Sequence, residues 1–194
     1  IDGQTVTLVV HAPYKNSMYA IGDFSDWEVG PDYRMKCTTD DVTDYNTRYW
    51  VTLENITPGE EYAFQYLIDE ALRVADAYAE KILDPWNDQY IPDETYPNLK
   101  PYPDGKTMGI VSVFQTNKPA YQWQVANFER PEPTDLVVYE LLLRDFIDAQ
   151  NFETLIDSLS YFKRLGVNAI ELMPVNEFEG NLSWGYNPSF YFAP

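Results

Sequence analysis

DLVVYELLLRDF, Asp135 to Phe146, is the stretch from which the fold of the second half of this chain is read. Leu136 to Phe146 is nearly all apolar, as expected for a parallel strand covered on both faces. A helix is expected next. Asn151 is a good N-cap, because its side-chain oxygen can accept a free N–H of the first turn. Glu153 suits the positive end of the same helix. Phe152, Leu155, Ile156, Leu159 and Phe162 recur at helical spacing. Lys163 and Arg164 fall in the last turn, and Gly166 is a natural stop. VNAIELMP, Val167 to Pro174, reads as a second strand. Strand, helix and strand in so short a space form a βαβ unit, whose right-handed crossover makes the two strands parallel.

Glu140 and Glu171 lie in these strands. Ile170 and Leu172 share one face of theirs, so Glu171 points the other way. Both glutamates are expected to be buried, paired carboxylates rather than catalytic acids. Removing one partner of such a pair costs about 3–5 kcal/mol. Beyond the second strand comes LSWGYNPSFYFAP, Leu182 to Pro194. It is too aromatic for an ordinary surface loop. It is also too rich in breakers for a helix or a central strand.

Upstream, the chain reads as short strands separated by turns. TVTLVVHAP (Thr5 to Pro13) is β-branched and ends at proline. MYAIGDFSDW (Met18 to Trp27) starts as a strand and breaks at Gly22. RYWVTLENI (Arg48 to Ile56) alternates Tyr49, Val51 and Leu53 against more polar neighbours. TPGEEYAFQYLID (Thr57 to Asp69) places Tyr62, Phe64 and Tyr66 on one face and Ala63, Gln65 and Leu67 on the other. ALRVAD (Ala71 to Asp76) returns as a hairpin through Asp69-Glu70, and MGIVSVFQT (Met108 to Thr116) is a further strand. Short strands with no helical period between them predict an antiparallel β-sandwich. Between the last two, DPWNDQYIPDETYPNLKPYPDGK is a long irregular connection. KPAYQWQVANFERPEPTD is a second linker, with Trp123 and Phe128 expected to pack at a domain junction. The division is a sandwich over 1–116, a linker over 117–134 and the βαβ segment over 135–194.

Composition narrows the partners. The 194 residues carry 31 acidic and 13 basic side chains, a net charge of −18. That field repels nucleic acid and acidic lipid surfaces, and a neutral polymer is indifferent to it. No apolar run approaches membrane-spanning length. Cys37 stands alone, so no intrachain disulfide can form, and the single His11 cannot build a multi-histidine metal site. TTDDVTD, Thr38 to Asp44, lacks the spacing and glycine of a calcium loop and reads as an exposed acidic hairpin. The chain opens at Ile1 without Met or a signal sequence, so a leader removed or a cut sequence is expected. The ending at Pro194 reads as a truncation. A secreted, periplasmic or cell-surface location is expected.

Three motifs together carry a family resemblance. DLVVYELLLRDF, GVNAIELMPVNEFEG and LSWGYNPSFYFAP resemble the first strands of the (β/α)8 barrel of α-amylase-type enzymes, glycoside hydrolase family 13. GDFSDW, PGEEYAFQYLID and AYAEKILDP resemble the immunoglobulin-like module, related to carbohydrate-binding module family 48, that precedes this barrel. The implied fold is mainly β, an immunoglobulin-like sandwich followed by the truncated start, β1-α1-β2, of a barrel that needs eight such units.

The resemblance implies a retaining enzyme acting on starch, glycogen or maltooligosaccharides, with debranching and branching activities as alternatives. Such enzymes use two carboxylates about 5–5.5 Å apart. In this family they follow the fourth and fifth strands, with a further Asp after the seventh. None of those motifs is in this chain, so no catalytic residue is assigned and the chain alone is expected to be inactive. Substrate binding is assigned to three residues. The tyrosine of the family's Gly-Tyr motif stacks on the sugar at the cleavage point, which Tyr186 matches, and Trp184 would shape the same rim. Trp27 matches the first glucan-binding tryptophan of the module. The second would follow Asp69, where Glu70, Ala71, Leu72 and Arg73 stand instead, so a structural role for Trp27, folded back onto the sandwich, is preferred to sugar binding. A sandwich that binds glucan or only braces the barrel is the competing reading. No metal or cofactor is expected here, and Ca²⁺ is allowed in the complete enzyme. Unpaired barrel strand edges predict self-association.

Overall fold

The structure, a computed structural model, describes residues 3–41 and 43–194. It divides into two compact units. One is built mainly from Ile1–Asp88 and Lys100–Pro119, the other from Gln89–Leu99 and Ala120–Phe192.

The first unit is a two-sheet antiparallel sandwich. Its strands are β1 (Val6–His11), β2 (Met18–Gly22), β3 (Lys36–Cys37), β4 (Arg48–Leu53), β5 (Glu61–Ile68), β6 (Leu72–Val74), β7 (Ile82–Leu83) and β8 (Val111–Gln115). One sheet runs β1-β4-β3. The other runs β2-β5-β8-β7, with β6 paired to the end of β5. The alternation read in Arg48–Leu53 is real. Tyr49, Val51 and Leu53 are buried, and Leu8 joins them from β1. Met18, Ala20, Phe64 and Tyr66 close the core from the opposite sheet. The β5–β6 hairpin turns through Asp69 and Glu70, both at positive φ (50° and 56°). That is the backbone which matches the right-handed twist of the flanking strands.

The back of β5 is buried as well. Ala63 is 0%, Gln65 1% and Leu67 6% exposed. A sandwich sheet ordinarily leaves its outer face to water. Here the segment entering β8 covers it. The Gln65 amide donates to the carbonyls of Met108 (2.9 Å) and Ile110 (2.8 Å), and the Thr107 hydroxyl donates to its oxygen at 2.6 Å. A buried amide is tolerated only when satisfied in this way. The pairing with Met108 to Ile110 therefore explains a glutamine between two apolar neighbours.

The second unit holds β9 (Val138–Leu141), α1 (Leu143–Phe146), α2 (Phe152–Asp157), α3 (Leu159–Leu165), β10 (Ala169–Leu172), β11 (Glu177–Phe178) and β12 (Pro188–Phe190). β9 and β10 pair in parallel, with Glu171 opposite Glu140. β11 and β12 pair antiparallel. Leu141, Leu143, Ile147, Leu155 and Phe162 form its core, with Tyr139 and Ile170 packed against them.

Two expectations change. The strand ends at Leu141 rather than running to Phe146. From Leu143 the backbone turns helical, with Phe146 N–H bonded to the Leu142 carbonyl, which brings Ile147 into the core. The single helix is two. The Asn151 side chain does cap Thr154 N–H at 2.9 Å. At Ser158, however, the hydroxyl donates back to the Thr154 carbonyl at 3.0 Å, a bond that bends helices. Gly166 ends α3 at φ 80°, its N–H on Lys163 and that of Val167 on Phe162. Trp123 and Phe128 are 81% and 70% exposed, on an irregular stretch where Trp123 meets Tyr121 edge-on, ring centroids 5.0 Å apart.

Residues Gln89–Leu99, inside the long connection, belong to the second unit. The Thr95 hydroxyl donates to the Ala149 carbonyl at 3.1 Å, and the Asn151 amide donates to the Glu94 carbonyl at 3.0 Å. Hydrogen bonds, not apolar periodicity, attach this strip, which is why its place is silent in the sequence.

Candidate functional site

The aromatic stretch between β11 and β12 is a loop held at defined points. Gly185 has φ +86°, and a β-carbon there would fall 2.2 Å from the Pro174 carbonyl oxygen. Glycine alone permits both the left-handed backbone and the close approach. The Gly185 N–H bonds to the Ser183 hydroxyl at 3.0 Å, and that hydroxyl also meets the Asn187 side chain. Arg144 donates to the Ser183 carbonyl at 3.0 Å while its guanidinium pairs with Asp145 at 2.8 Å. That pairing raises Arg144 above its ordinary pKa and holds Asp145 below the usual carboxylate range.

A loop pinned in this way displays two rings. Trp184 is 65% and Tyr186 64% exposed. The Tyr186 hydroxyl lies 3.3 Å from a carboxylate oxygen of Glu140. Desolvation first, then the charges of Glu140 and Glu171, raise the phenol above its ordinary value. It is therefore protonated at neutral pH and donates to the carboxylate. Glu140 and Glu171 occupy matching positions on neighbouring parallel strands, on the face opposite Tyr139, Leu141 and Ile170. They were expected to be buried. Both are exposed, because the helices cover only the other face of this two-stranded sheet.

Two flat rings beside two carboxylates suit a neutral polyhydroxylated ligand. Ring faces accept sugar C–H groups, and carboxylates accept hydroxyl hydrogen bonds that fix orientation. Among the described residues, no three acidic, histidine or cysteine side chains gather as a metal-binding group. Asp41 and Asp44 of the acidic hairpin bond to their own loop, at Thr43 and Asn46.

Trp27 is not part of such a surface. Its residue is 5% exposed, and its ring N–H donates to Asp23 at 3.1 Å. Asp23 also accepts from Ala63 N–H at 2.9 Å and pairs with Lys100 at 3.0 Å. Gly22 precedes it because a β-carbon there would meet the Ala63 carbonyl oxygen at 2.3 Å. GDFSDW is thus a fastening of the loop after β2 onto β5. A ring so enclosed has no face on which a sugar could stack, which corrects its assignment as a binding residue. Sequence reading also missed Arg144 and the pairing of Glu140 with Tyr186. The one available signal was the tight spacing of Ser183, Gly185 and Asn187.

In sequence the chain is similar to malto-oligosyltrehalose trehalohydrolases and 1,4-alpha-glucan branching enzymes, and in fold to solved alpha-amylase and pullulanase structures. It is 29% identical to the malto-oligosyltrehalose trehalohydrolase of Saccharolobus solfataricus over 75% of its own length and 21% of that protein. It is 29% identical to the 1,4-alpha-glucan branching enzyme GlgB of Cupriavidus pinatubonensis over 100% of its length and 25% of that protein. Among solved structures, it shares the fold of the pullulanase from Anoxybacillus sp. LM18-11 complexed with maltotetraose. The TM-score is 0.61 at 21% identity, covering 100% of this chain and 28% of that one. No family model matches the chain. The chain thus spans a quarter or less of the length of these two sequence relatives.

Proposed function

We propose that this chain is the N-terminal part of a retaining α-glucan-active glycoside hydrolase of the α-amylase type, acting on starch, glycogen or maltooligosaccharides. Residues 1–116 are its immunoglobulin-like module, 117–134 a linker, and 135–194 the opening β-α-β of its (β/α)8 barrel. The observation that carries this reading is Tyr186. Its ring is open to solvent on a loop that Gly185 and Arg144 fix beside two parallel strands. A fixed ring face orients a neutral sugar without adding charge next to the carboxylates that later strands would supply. The chain itself contributes substrate positioning and no nucleophile. Branching and debranching activities remain alternatives within the class, separable by the linkages of the products.

The buried Trp27 favours a bracing rather than a glucan-binding role for the sandwich. The two exposed strand edges of β9 and β10 support self-association of the isolated chain.

Replacing Tyr186 by alanine in the complete enzyme tests the reading. Loss of a stacking platform costs about 1–3 kcal/mol in comparable ring-stacking systems, so turnover of maltooligosaccharide should fall roughly tenfold or more in a folded protein. Unchanged kinetics would remove Tyr186 from the site.

A further inference from the structure

The Tyr186 hydroxyl and the Glu140 carboxylate meet although they lie 46 residues apart in the sequence. An exposed tyrosine ring turns about two side-chain torsions, and one that is 64% exposed has little packing to hold it. The backbone beneath it is fixed by the Gly185–Pro174 approach and by Arg144 on Ser183. Among the described residues the ring itself is anchored by its hydroxyl on Glu140. Glu140 can serve because it stands on a strand whose backbone is paired residue for residue with β10.

We infer that Glu140 is a positioning residue for Tyr186, setting the plane of the ring on which a neutral sugar stacks; this rests on the reading of Tyr186 as that platform. At 3.3 Å the hydrogen bond is long for O–H···O. Such bonds are often slack without ligand and tighten when the ligand arrives. A sugar laid over the ring excludes water from the phenol and the carboxylate and strengthens their attraction. Glu140 in this role is a hydrogen-bond acceptor. It neither takes nor gives a proton, and an uncharged acceptor of the same shape would do. Glu171, in register beside it, adds a second negative charge, which makes a donated phenol proton more favourable there.

The test has two arms. In the chain itself, labelled with ¹³C on the tyrosine ring, the Tyr186 phenol should titrate above the ordinary value and move down towards it in Glu140→Ala. A titration that ignores this substitution would overturn the contact. In the complete enzyme acting on maltotetraose, Tyr186→Phe and Glu140→Ala should each lower kcat/KM about five- to tenfold, within the range of an ordinary hydrogen bond. The double variant should fall no further than either alone. Glu140→Gln, whose amide oxygen still accepts the hydroxyl, should stay near the parent. A Glu140→Gln variant as damaged as Glu140→Ala would show that charge, not positioning, is at work, and would overturn the inference. If Tyr186→Ala is impaired while Tyr186→Phe and Glu140→Ala are not, the inference falls and the platform stands. If Tyr186→Ala is also unaffected, the platform reading falls with it.

Discussion

Gly185 and the carbonyl oxygen of Pro174 approach so closely that a β-carbon on residue 185 would lie 2.2 Å from that oxygen. No side-chain rotation relieves such a contact, because the obstructing atom is backbone. Gly185→Ala should therefore displace the loop. Together with the cost of placing alanine at positive φ, local strain of about 1–3 kcal/mol is expected. Hydrogen exchange would read this directly, with loop amides opening roughly tenfold faster or more. An unaltered exchange pattern would mean that the loop is not clamped here.

Trp27 makes the opposite case, an aromatic residue that works by being enclosed. Trp27→Ala should cost about 3–5 kcal/mol of sandwich stability, the range for deleting a large buried ring. Trp27→Phe keeps most of the ring and loses only the bond to Asp23, for about 1 kcal/mol. Any retention of the chain on insoluble starch should survive in folded Trp27→Phe. A selective loss of retention would return Trp27 to a binding surface.

The sandwich should unfold on the alkaline side. Burial foremost, with Cys37 next, pushes the Tyr49 phenol up to about 12. Burial and then Asp76 push Tyr66 higher still. Unfolded tyrosine titrates near about 10. Because the folded values are raised, the stability they contribute is fully present below about pH 10 and is lost as pH climbs through the folded values. Phenolate absorbance should show these two tyrosines ionising late, together with loss of near-ultraviolet circular dichroism. The double Tyr→Phe variant should lose that alkaline limb. Early ionisation of either phenol in a folded sandwich would contradict the burial described here.

The parallel pair β9–β10 has an open edge on each side among the described residues, and Val138 is 50% and Ile156 56% exposed. Unpaired strand edges next to apolar surface recruit further strands. The isolated chain should form dimers that dissociate on dilution, as light scattering behind size exclusion would record. A monomer at every concentration would refute this.

Much of the architecture was legible because it is local. Alternation in Arg48–Leu53 named the inward residues, Asn151 and Gly166 marked where helical structure begins and ends, and two apolar runs around a helix implied parallel strands. Each is set by the period of one element or the chemistry of one cap. The break at Ser158 was not legible, because a serine back-bond competes with a regular helix by a fraction of its stability. The burial of the back of β5 was not legible for another reason. Whether Ala63, Gln65 and Leu67 meet water depends on a segment 43 residues onward, where the Met108 carbonyl accepts from the Gln65 amide.

At the site the division is sharper. By itself the sequence determined that Trp184 and Tyr186 stand on an irregular, glycine-containing loop, because prolines and glycine deny that stretch a helix or a central strand. Only the tertiary structure decided that Tyr186 is open while Trp27 is enclosed, though both are aromatic residues beside turns. Exposure depends on what the rest of the chain brings alongside: Asp23 and β5 for Trp27, and Glu140 on a neighbouring strand for Tyr186. That strand meets the loop only because parallel pairing sets Glu140 level with Glu171, a register no local period encodes.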